Sequence, residues 1–318
     1  MAVYVHHSKN GPDFEWDDAK IAGLLADVRF RQGRLLGRVE GMGAEFLAEA
    51  QERVRDFDQE IFTATSARKE FAQLLPEIAR DVAAPLSRER ILKWASILNP
   101  AAGATTAPKG AVHFQVSITG GAESRLSRLI HWINSGATLD PILKAAVAHL
   151  WVVLAVLKDG DSERLADIVT ELLIGRANHG GARLYSVSGQ LQMERHGYEE
   201  KMKLFQKAPM DATPWIGWFL GCVGRAIDNA ANMMKEILEK KRFWDRCAGM
   251  GLNERQRLVL VKLLDGKESR LTSSQWALLT KTSQDTAGRD INDLVQRGVL
   301  VKQAGVGRST SYAIIPGP

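Results

Sequence analysis

The chain has 318 residues, of which 45% are hydrophobic and 25% are charged, and its formal net charge is +5. This composition is ordinary for a globular protein of two or three domains. The only two cysteines, Cys222 and Cys247, exclude a disulfide framework and a cysteine-rich zinc site. No apolar run is long enough to span a membrane, and polar residues replace the apolar core of a signal peptide. We therefore expect a cytoplasmic protein with no membrane partner.

The N-terminal region predicts a long amphipathic helix that begins near Trp16. Apolar residues recur there at spacings of three and four, and Asp17 and Asp18 place acidic side chains where a helix start favours them. A further helix is predicted over residues 85–98. The apolar positions of the first helix are Ile21, Leu24, Leu25, Val28, Leu35, Leu36 and Val39.

The middle of the chain predicts two buried helices joined by a polar turn. Apolar residues at helical spacing run from Ile142 to Leu154, and a second series runs from Leu165 to Leu173. Residues 158–163 between them are polar, so the second helix should begin near Ser162 and present its N-terminal amides to the turn. A helix start of this kind is a frequent binding site for phosphate.

This stretch resembles the active-site motif of the Fic family, His-x-Phe-x-Asp/Glu-Gly-Asn-Gly-Arg-x-x-Arg, which lies between two core helices. The resemblance implies a loop that binds ATP phosphates and a histidine that acts as general base in AMP transfer to a target hydroxyl. When the match is anchored on Trp151 and Arg164, only Arg164 keeps its motif identity. The other motif positions then hold Val156 for the histidine, Lys158 for the phenylalanine, Gly160 for the acid, Ser162 for the asparagine and Asp167 for the last arginine.

A second register, shifted by one residue, does not restore the motif. It aligns Asp159, Gly160 and Asp161 with Asp-Gly-Asn, but it puts Ala155 at the histidine position and Glu163 at the arginine position. Neither register supplies a proton acceptor, and loss of a positioned general base costs about 10²–10⁴-fold in rate. We therefore predict a pseudoenzyme without catalytic residues.

Acidic residues around the predicted turn also disfavour a bound triphosphate. Asp161, Glu163 and Asp167 add negative charge where a triphosphate and its metal ion would need cations and free backbone amides. Three interpretations of the turn stay open. They are a solvated connection between two core helices, a residual pocket for a nucleotide or another ligand, and active AMP transfer.

Other segments are similar to further parts of Fic proteins. Residues 14–17 and 31–37 resemble the helical region that precedes one class of Fic domains, and residues 214–227 resemble their closing helix. Fic enzymes also have a β-hairpin flap that clamps the backbone of the target. Only a short remnant of that flap is recognisable here, at residues 112–116.

The inhibitory helix of such Fic proteins, with its motif Ser/Thr-x-x-x-Glu-Gly, would correspond to residues 63–71. Counted from Thr65, Lys69 replaces the inhibitory glutamate. Counted from Ser66, Glu70 fits the glutamate, but phenylalanine follows it where the motif has glycine. The first count is preferred, because an active site that has lost its catalytic histidine no longer needs the inhibitory glutamate.

The basic charge is concentrated at the C-terminal end of the chain. From Met250 onward there are ten lysines and arginines against six acidic residues, so this segment carries +4 of the net charge of +5. A local excess of basic residues is the electrostatic signature of a nucleic-acid-binding segment.

The C-terminal segment predicts three short helices followed by a β-hairpin. Asn253 caps the first helix, the second covers residues 271–279, and Ser283 caps a third that extends to Arg297. Gly298 ends the third helix. The hairpin has strands at residues 299–302 and 309–314. This order is that of a winged helix-turn-helix domain, whose second paired helix enters the major groove of DNA.

Side chains on the third helix have the chemistry that reads bases. Arg289 suits guanine, and Gln284 or Asn292 suits adenine. We predict contacts to double-stranded DNA from the helix 283–297 and the wing 302–310. The predicted DNA-binding residues are Thr272, Ser273, Lys281, Ser283, Gln284, Asp285, Thr286, Arg289, Asn292, Lys302, Arg308 and Ser309.

Together these patterns predict a mainly α fold, in which a Fic-like helical body carries a C-terminal winged-helix domain with a small β-hairpin wing. The predicted domains are residues 1–85, 86–248 and 250–318. The predicted function is transcriptional regulation by a DNA-binding homodimer that needs no cofactor and no metal ion. A protein or small-molecule effector of the helical body is compatible with this function.

Two other functions stay open at this point. One is protein AMP transfer with an atypical active site, in which Arg164 holds phosphate. The other is a protein-binding, antitoxin-like module whose C-terminal domain makes only protein contacts.

Overall fold

The computed structural model of the protein describes residues 15–63, 66–98, 122–135, 139–155, 161–179, 181–207, 211–266, 270–303 and 310–315. The chain forms two compact units, Met1–Met233 and Met234–Pro318. Both are rich in helix, and the described strands form one small antiparallel sheet. The prediction of a mainly α fold is therefore confirmed. The predicted flap remnant at residues 112–116 lies outside the described residues.

The first unit is built from helices. Two of them differ from the predicted elements: the helix expected over 85–98 begins at Arg88, and the helix expected near Ser162 begins one residue earlier. The helices are α1 (Asp18–Glu40), α2 (Ala44–Thr63), α3 (Ser66–Arg80), α4 (Arg88–Leu98), α5 (Ala122–Asn134), α6 (Pro141–Ala155), α7 (Asp161–Ala177), α8 (Val187–Met193), α9 (Arg195–Lys207) and α10 (Thr213–Cys247).

Helix α10 is longer than the closing helix that residues 214–227 resemble. It has 35 residues and extends to Cys247. Its residues from Met234 onward belong to the second unit. The charged side chains of the later part did not mark a break, because they lie between apolar residues that are buried, such as Ile237 and Phe243.

The pair α6 and α7 forms the centre of the first unit. Almost every residue of α6 from Ile142 to Val152 and of α7 from Leu165 to Ile174 is buried. A helix that is buried on all sides needs apolar residues all round, as the sequence of α6 provides. Two residues in this part of α6 are polar and also buried, Lys144 and His149. Lys144 donates hydrogen bonds to main-chain carbonyls at the end of α5.

Within the described residues, the second unit contains the C-terminal part of α10, three further helices and a small sheet. Its elements after α10 are α11 (Glu254–Leu264), β1 (Leu271–Thr272), α12 (Ser273–Thr280), α13 (Gln284–Gln296), β2 (Leu300–Gln303) and β3 (Ser311–Ile314). The sheet order is β1-β3-β2, and both pairings are antiparallel. The core of this unit surrounds the fully buried Trp276.

The predicted starts of α11 and α13 are confirmed. Asn253 and Gln256 form a reciprocal capping box at the start of α11, and Ser283 accepts a hydrogen bond from the amide of Thr286 at the start of α13. Gly298 follows α13 with φ of +69°, a left-handed conformation that favours glycine. Strand β1 was not predicted, and the segment assigned to the second helix begins with it.

Candidate functional site

The connection between α6 and α7 is the first candidate site. Residues 156–160 lie outside the described residues, and they include the predicted positions Val156, Lys158, Asp159 and Gly160. Asp161 is the first residue of α7, and Ser162 in the first turn is buried. The polar turn expected over 158–163 is therefore shorter than predicted, because its last three residues are helical.

Arg164 caps the end of another helix. Its Nη1 atom donates a hydrogen bond of 3.0 Å to the carbonyl oxygen of Leu98, the last residue of α4. Carbonyls at a helix C-terminus have no partner within the helix, and a cationic side chain satisfies them well. A role for Arg164 in holding phosphate stays a prediction.

The acidic residues of α7 carry less negative charge than their sequence implied. Glu163 pairs with Arg195 through contacts of 2.6 and 3.3 Å, which neutralise it. Asp167 is 3% exposed, and burial, together with the nearby carboxylates of Glu163 and Glu171, raises its pKa well above the usual range. Packing in the folded unit therefore reduces the repulsion that Glu163 and Asp167 were expected to exert on a bound anion.

His149 is a buried residue of α6 for which the sequence suggested no role. Its Nδ1 atom lies 2.9 Å from the hydroxyl of Thr170, and its Nε2 atom lies 3.1 Å from the hydroxyl of Tyr198. Its ring stacks on Trp215 with a centroid distance of 5.3 Å. Burial lowers the pKa of His149 to about 3, so the imidazole is neutral near pH 7. A lone histidine in the apolar middle of the helix was the signal that could have identified it.

The second candidate site is the exposed surface around α12 and α13. Seven of the predicted DNA-binding residues are exposed, while Thr272, Ser273 and Thr286 are half-buried. Arg308 and Ser309, in the predicted wing, lie outside the described residues. The seven exposed residues are Lys281, Ser283, Gln284, Asp285, Arg289, Asn292 and Lys302.

Several predicted residues have structural partners on this surface. The hydroxyl of Thr272 caps α12 and contacts Gln275, and the hydroxyl of Ser283 lies 3.0 Å from that of Thr286. Gln284 donates a hydrogen bond of 3.2 Å to the hydroxyl of Ser274. These contacts fix the ends of α12 and α13. They leave the charged and amide side chains of α13 as the groups available to a ligand.

Five predicted residues make no side-chain hydrogen bond or ion pair with any residue that the structure describes. Two of them, Arg289 and Asn292, project from α13, whereas Ala287, Ile291 and Leu294 of the same helix are buried. Helix α13 is therefore amphipathic, with an unpartnered polar face. The five residues are Lys281, Asp285, Arg289, Asn292 and Lys302.

The turn between α12 and α13 contains an unusual backbone conformation. Lys281 ends α12 with φ of +53° and ψ of +45°, in the left-handed region. Side chains other than those of glycine, asparagine and aspartate seldom adopt this conformation. Its backbone N–H bonds to the last turn of α12, and its side chain is exposed at the start of α13.

Asp290 fastens the buried side of α13 to the start of α11. Its carboxylate accepts hydrogen bonds of 2.9 Å from Asn253 and of 2.8 and 3.0 Å from Arg255. Burial opposes ionisation of this carboxyl group, but the hydrogen bonds from Arg255 and Asn253 outweigh it and hold the pKa below the usual range. Gln256 adds a hydrogen bond to the carbonyl oxygen of Asp290. These contacts fix the helix backbone from which the adjacent Arg289 projects.

Comparisons with known proteins bear on the fold of the whole chain. A family model described as "Domain of unknown function (DUF4172)" matches residues 4–67. The crystal structure of a Fic family protein from Desulfovibrio desulfuricans G20 is similar with a TM-score of 0.50 and 12% sequence identity, over 94% of this chain and 97% of that chain. The chain has a Fic-like fold. At 12% identity the likeness concerns the fold alone, and no curated protein matches this chain.

Within the described ranges, no helix is both long and apolar enough to cross a bilayer. The same ranges hold no group of three or more His, Cys, Asp and Glu side chains placed to bind a metal ion. Cys222 and Cys247 are both buried free thiols.

The contacts of Asp290 lead to a testable prediction. Replacing Asp290 with asparagine should lower the free energy of unfolding of the second unit by about 1–2 kcal/mol, because a charge-assisted pair with the partly exposed Arg255 is lost. Hydrogen exchange of the amides in α11 and α13 would measure the change. The matched control is Asp285→Asn on the exposed face of α13, for which we expect only about 0.3 kcal/mol. Equal effects of the two variants would contradict the anchoring role of Asp290.

Proposed function

We propose that the second unit is a winged-helix domain that binds double-stranded DNA, and that the protein is a transcriptional regulator. The order of its elements supports this proposal, because three helices with a short strand after the first, followed by a β-hairpin, is the plan of such domains. In this proposal α13 is the recognition helix and residues 302–310 form the wing.

The unpartnered polar face of α13 is the observation that carries the proposal. Asp285, Arg289 and Asn292 stand at positions i, i+4 and i+7, so they share one side of the helix. Arginine pairs with guanine, asparagine pairs with adenine, and a carboxylate accepts from the amino group of cytosine. Lys281 and Lys302 are exposed cations suited to phosphate contacts.

The Fic-like first unit is proposed to have no AMP-transferase activity. Val156 at the histidine position of the motif has no group that accepts a proton, in whichever conformation the connection adopts. A single winged helix reads only a few base pairs, and two half-sites are usual for such regulators. We therefore propose a homodimer that acts in the cytoplasm.

The proposal predicts specific DNA binding that depends on Arg289. Wild type and Arg289→Ala would be titrated with fragments of the upstream region of the gene itself and with random DNA, over a series of salt concentrations. We expect Arg289→Ala to weaken specific binding by about 10- to 100-fold, since a lost base contact costs about 1–3 kcal/mol. Lys281→Ala should instead weaken both specific and non-specific binding. It should also reduce the slope of the logarithm of the binding constant against the logarithm of the salt concentration by about 1.

The control for charge is Arg257→Ala on the exposed side of α11. It removes the same charge from the same unit and should leave specific binding within about threefold of wild type. Sequence-independent binding that responds equally to Arg289→Ala and Arg257→Ala would contradict the proposal. A protein that copurifies with the second unit, with no DNA affinity, would favour an antitoxin-like module instead.

AMP transfer is the competing proposal, and the Fic-like fold is its support. Incubation with labelled ATP tests it directly. Incorporation of label into a target protein that is lost in Arg164→Ala would establish AMP transfer and overturn the pseudoenzyme proposal. Because Arg164 also caps α4, the variant must show a wild-type circular dichroism spectrum for its result to count.

A further inference from the structure

A groove in the first unit is lined by α2, α3 and the segment 181–183. Its volume is about 850 Å³, which is enough for a small organic molecule. The segment 181–183 follows the C-terminal end of α7, whereas the Fic-like motif lies at the N-terminal start of that helix. Seventeen residues of helix, at about 1.5 Å each, separate the two ends. The groove is therefore distinct from the predicted nucleotide loop.

The charged groups that line the groove are mostly cationic. Arg55 of α2, Arg80 of α3 and Arg183 provide three guanidinium groups, and among the described lining residues Asp58 provides the only carboxylate. Arg55 and Arg80 are exposed, and no residue in the described part of the chain forms a hydrogen bond or an ion pair with either side chain. Two guanidinium groups on facing helices without a counter-ion attract an anion.

The floor of the groove is an ion-paired cluster in which one arginine contacts two carboxylates. Arg183 donates 2.5 Å and 2.9 Å hydrogen bonds to Asp58 and Glu171, and Glu171 also accepts hydrogen bonds from the amide and the hydroxyl of Ser188. Asp58 is 2% exposed and shares the single guanidinium of Arg183 with Glu171, so the floor keeps at most one net negative charge against the two positive charges of Arg55 and Arg80. The unpaired cations at the rim therefore dominate the field that a ligand meets.

The remaining walls of the groove are apolar or carry amides. Leu47, Leu75 and Pro76 offer aliphatic surface, and Gln51 and Gln73 offer amide groups at its sides. A ligand that fills this groove needs an anionic group and an apolar body. An inorganic anion would leave the apolar walls uncovered, and a cation would be repelled by Arg55 and Arg80.

We propose that this groove binds a small organic anion. Its carboxylate or phosphate lies between Arg55 and Arg80, and its apolar part packs on Leu47, Leu75 and Pro76. The site does not depend on the proposed DNA binding, because its test uses no DNA. Failure of either proposal therefore leaves the other standing.

The test measures binding of simple probes to the full-length chain. Benzoate and phenyl phosphate carry an anionic group on an apolar body, benzylamine is the matched cation, and inorganic phosphate lacks the apolar body. Thermal denaturation with each probe at millimolar concentration, followed by calorimetric titration, would give relative affinities. We expect the organic anions to bind, inorganic phosphate to bind more weakly, and benzylamine not to bind.

Matched variants locate the site. Arg55→Ala and Arg80→Ala should each weaken binding of the organic anions by about 10- to 100-fold, and the double variant should abolish it. Arg55→Lys should have an intermediate effect, because lysine keeps the charge but cannot form a bidentate hydrogen bond with the anionic group. Arg38→Ala, which removes an exposed arginine of α1 outside the groove, should bind like wild type.

Three outcomes would overturn the proposal. They are the absence of saturable binding by both organic anions, equal binding of benzylamine, and undiminished binding in the double variant. Arg55 and Arg80 are exposed and have no partners among the described residues, so their replacement leaves the fold intact. Circular dichroism of each variant verifies this.

Discussion

Acidification is expected to destabilise the first unit through His149, by about 1.4 kcal/mol for each pH unit between the unfolded-state pKa and the folded-state pKa. Burial lowers the pKa of this histidine from 6.5 to about 3. Below pH 6.5 the unfolded chain takes up a proton that the folded chain does not. The stabilising contribution of His149 is therefore present above pH 6.5 and is lost as the pH falls towards 3.

Comparison of variants isolates this effect from that of other groups. Asp167 has a raised pKa in the folded unit, so it contributes stability at low pH that is lost as pH rises, with a sign opposite to that of His149. Urea unfolding over a pH series should show a shallower pH dependence in His149→Gln than in wild type. His196→Gln, at a histidine whose side chain is 90% exposed, is the control and should follow wild type. Coincident curves for all three proteins would contradict the prediction.

Replacing Arg183 with alanine should lower the free energy of unfolding of the first unit by about 3–5 kcal/mol. The substitution leaves two carboxylates, Asp58 and Glu171, buried without their cation, since their side chains are only 3% and 2% exposed. The removal of one partner from a buried ion pair costs more than the pair contributes. Denaturant unfolding followed by circular dichroism would measure the loss.

The matched control for Arg183 is Arg31→Ala. Arg31 pairs with Asp27 and Asp228, whose side chains are about half exposed, and solvent screens such pairs. We expect this variant to lose about 0–1 kcal/mol. A loss from Arg183→Ala no larger than that from Arg31→Ala would show that solvent reaches the carboxylates of Asp58 and Glu171.

Local signals made the starts of α11 and α13 predictable. Asn253 and Ser283 cap helices through hydrogen bonds to amides three residues away, so the sequence contains both partners. The exposed face of α13 was predictable for the same reason, because helical periodicity separates Arg289 and Asn292 from the apolar residues. Strand β1 was missed because it has only two residues and forms through pairing with β3, about 40 residues further along the chain.

The buried polar groups of the first unit could not be predicted from sequence. His149 is satisfied by Thr170 and Tyr198, which are 21 and 49 residues away, and Arg183 pairs with Asp58 at a separation of 125 residues. The partners come together only when the helices pack. The same limit applies to the groove, since Arg55 and Arg80 lie on different helices and no motif links them.

The left-handed backbone conformation of Lys281, between α12 and α13, lowers the stability of the second unit. A non-glycine residue in this conformation costs about 1–2 kcal/mol, and glycine at position 281 would avoid most of that strain. A glycine would also remove a cation from the start of α13. Glycine at position 281 would therefore increase thermal stability, whereas lysine keeps a positive charge on the surface. Such local conflicts between stability and surface chemistry are common where a surface binds a ligand. In this unit the strained residue lies in an exposed turn, and the core around Trp276 does not contain it.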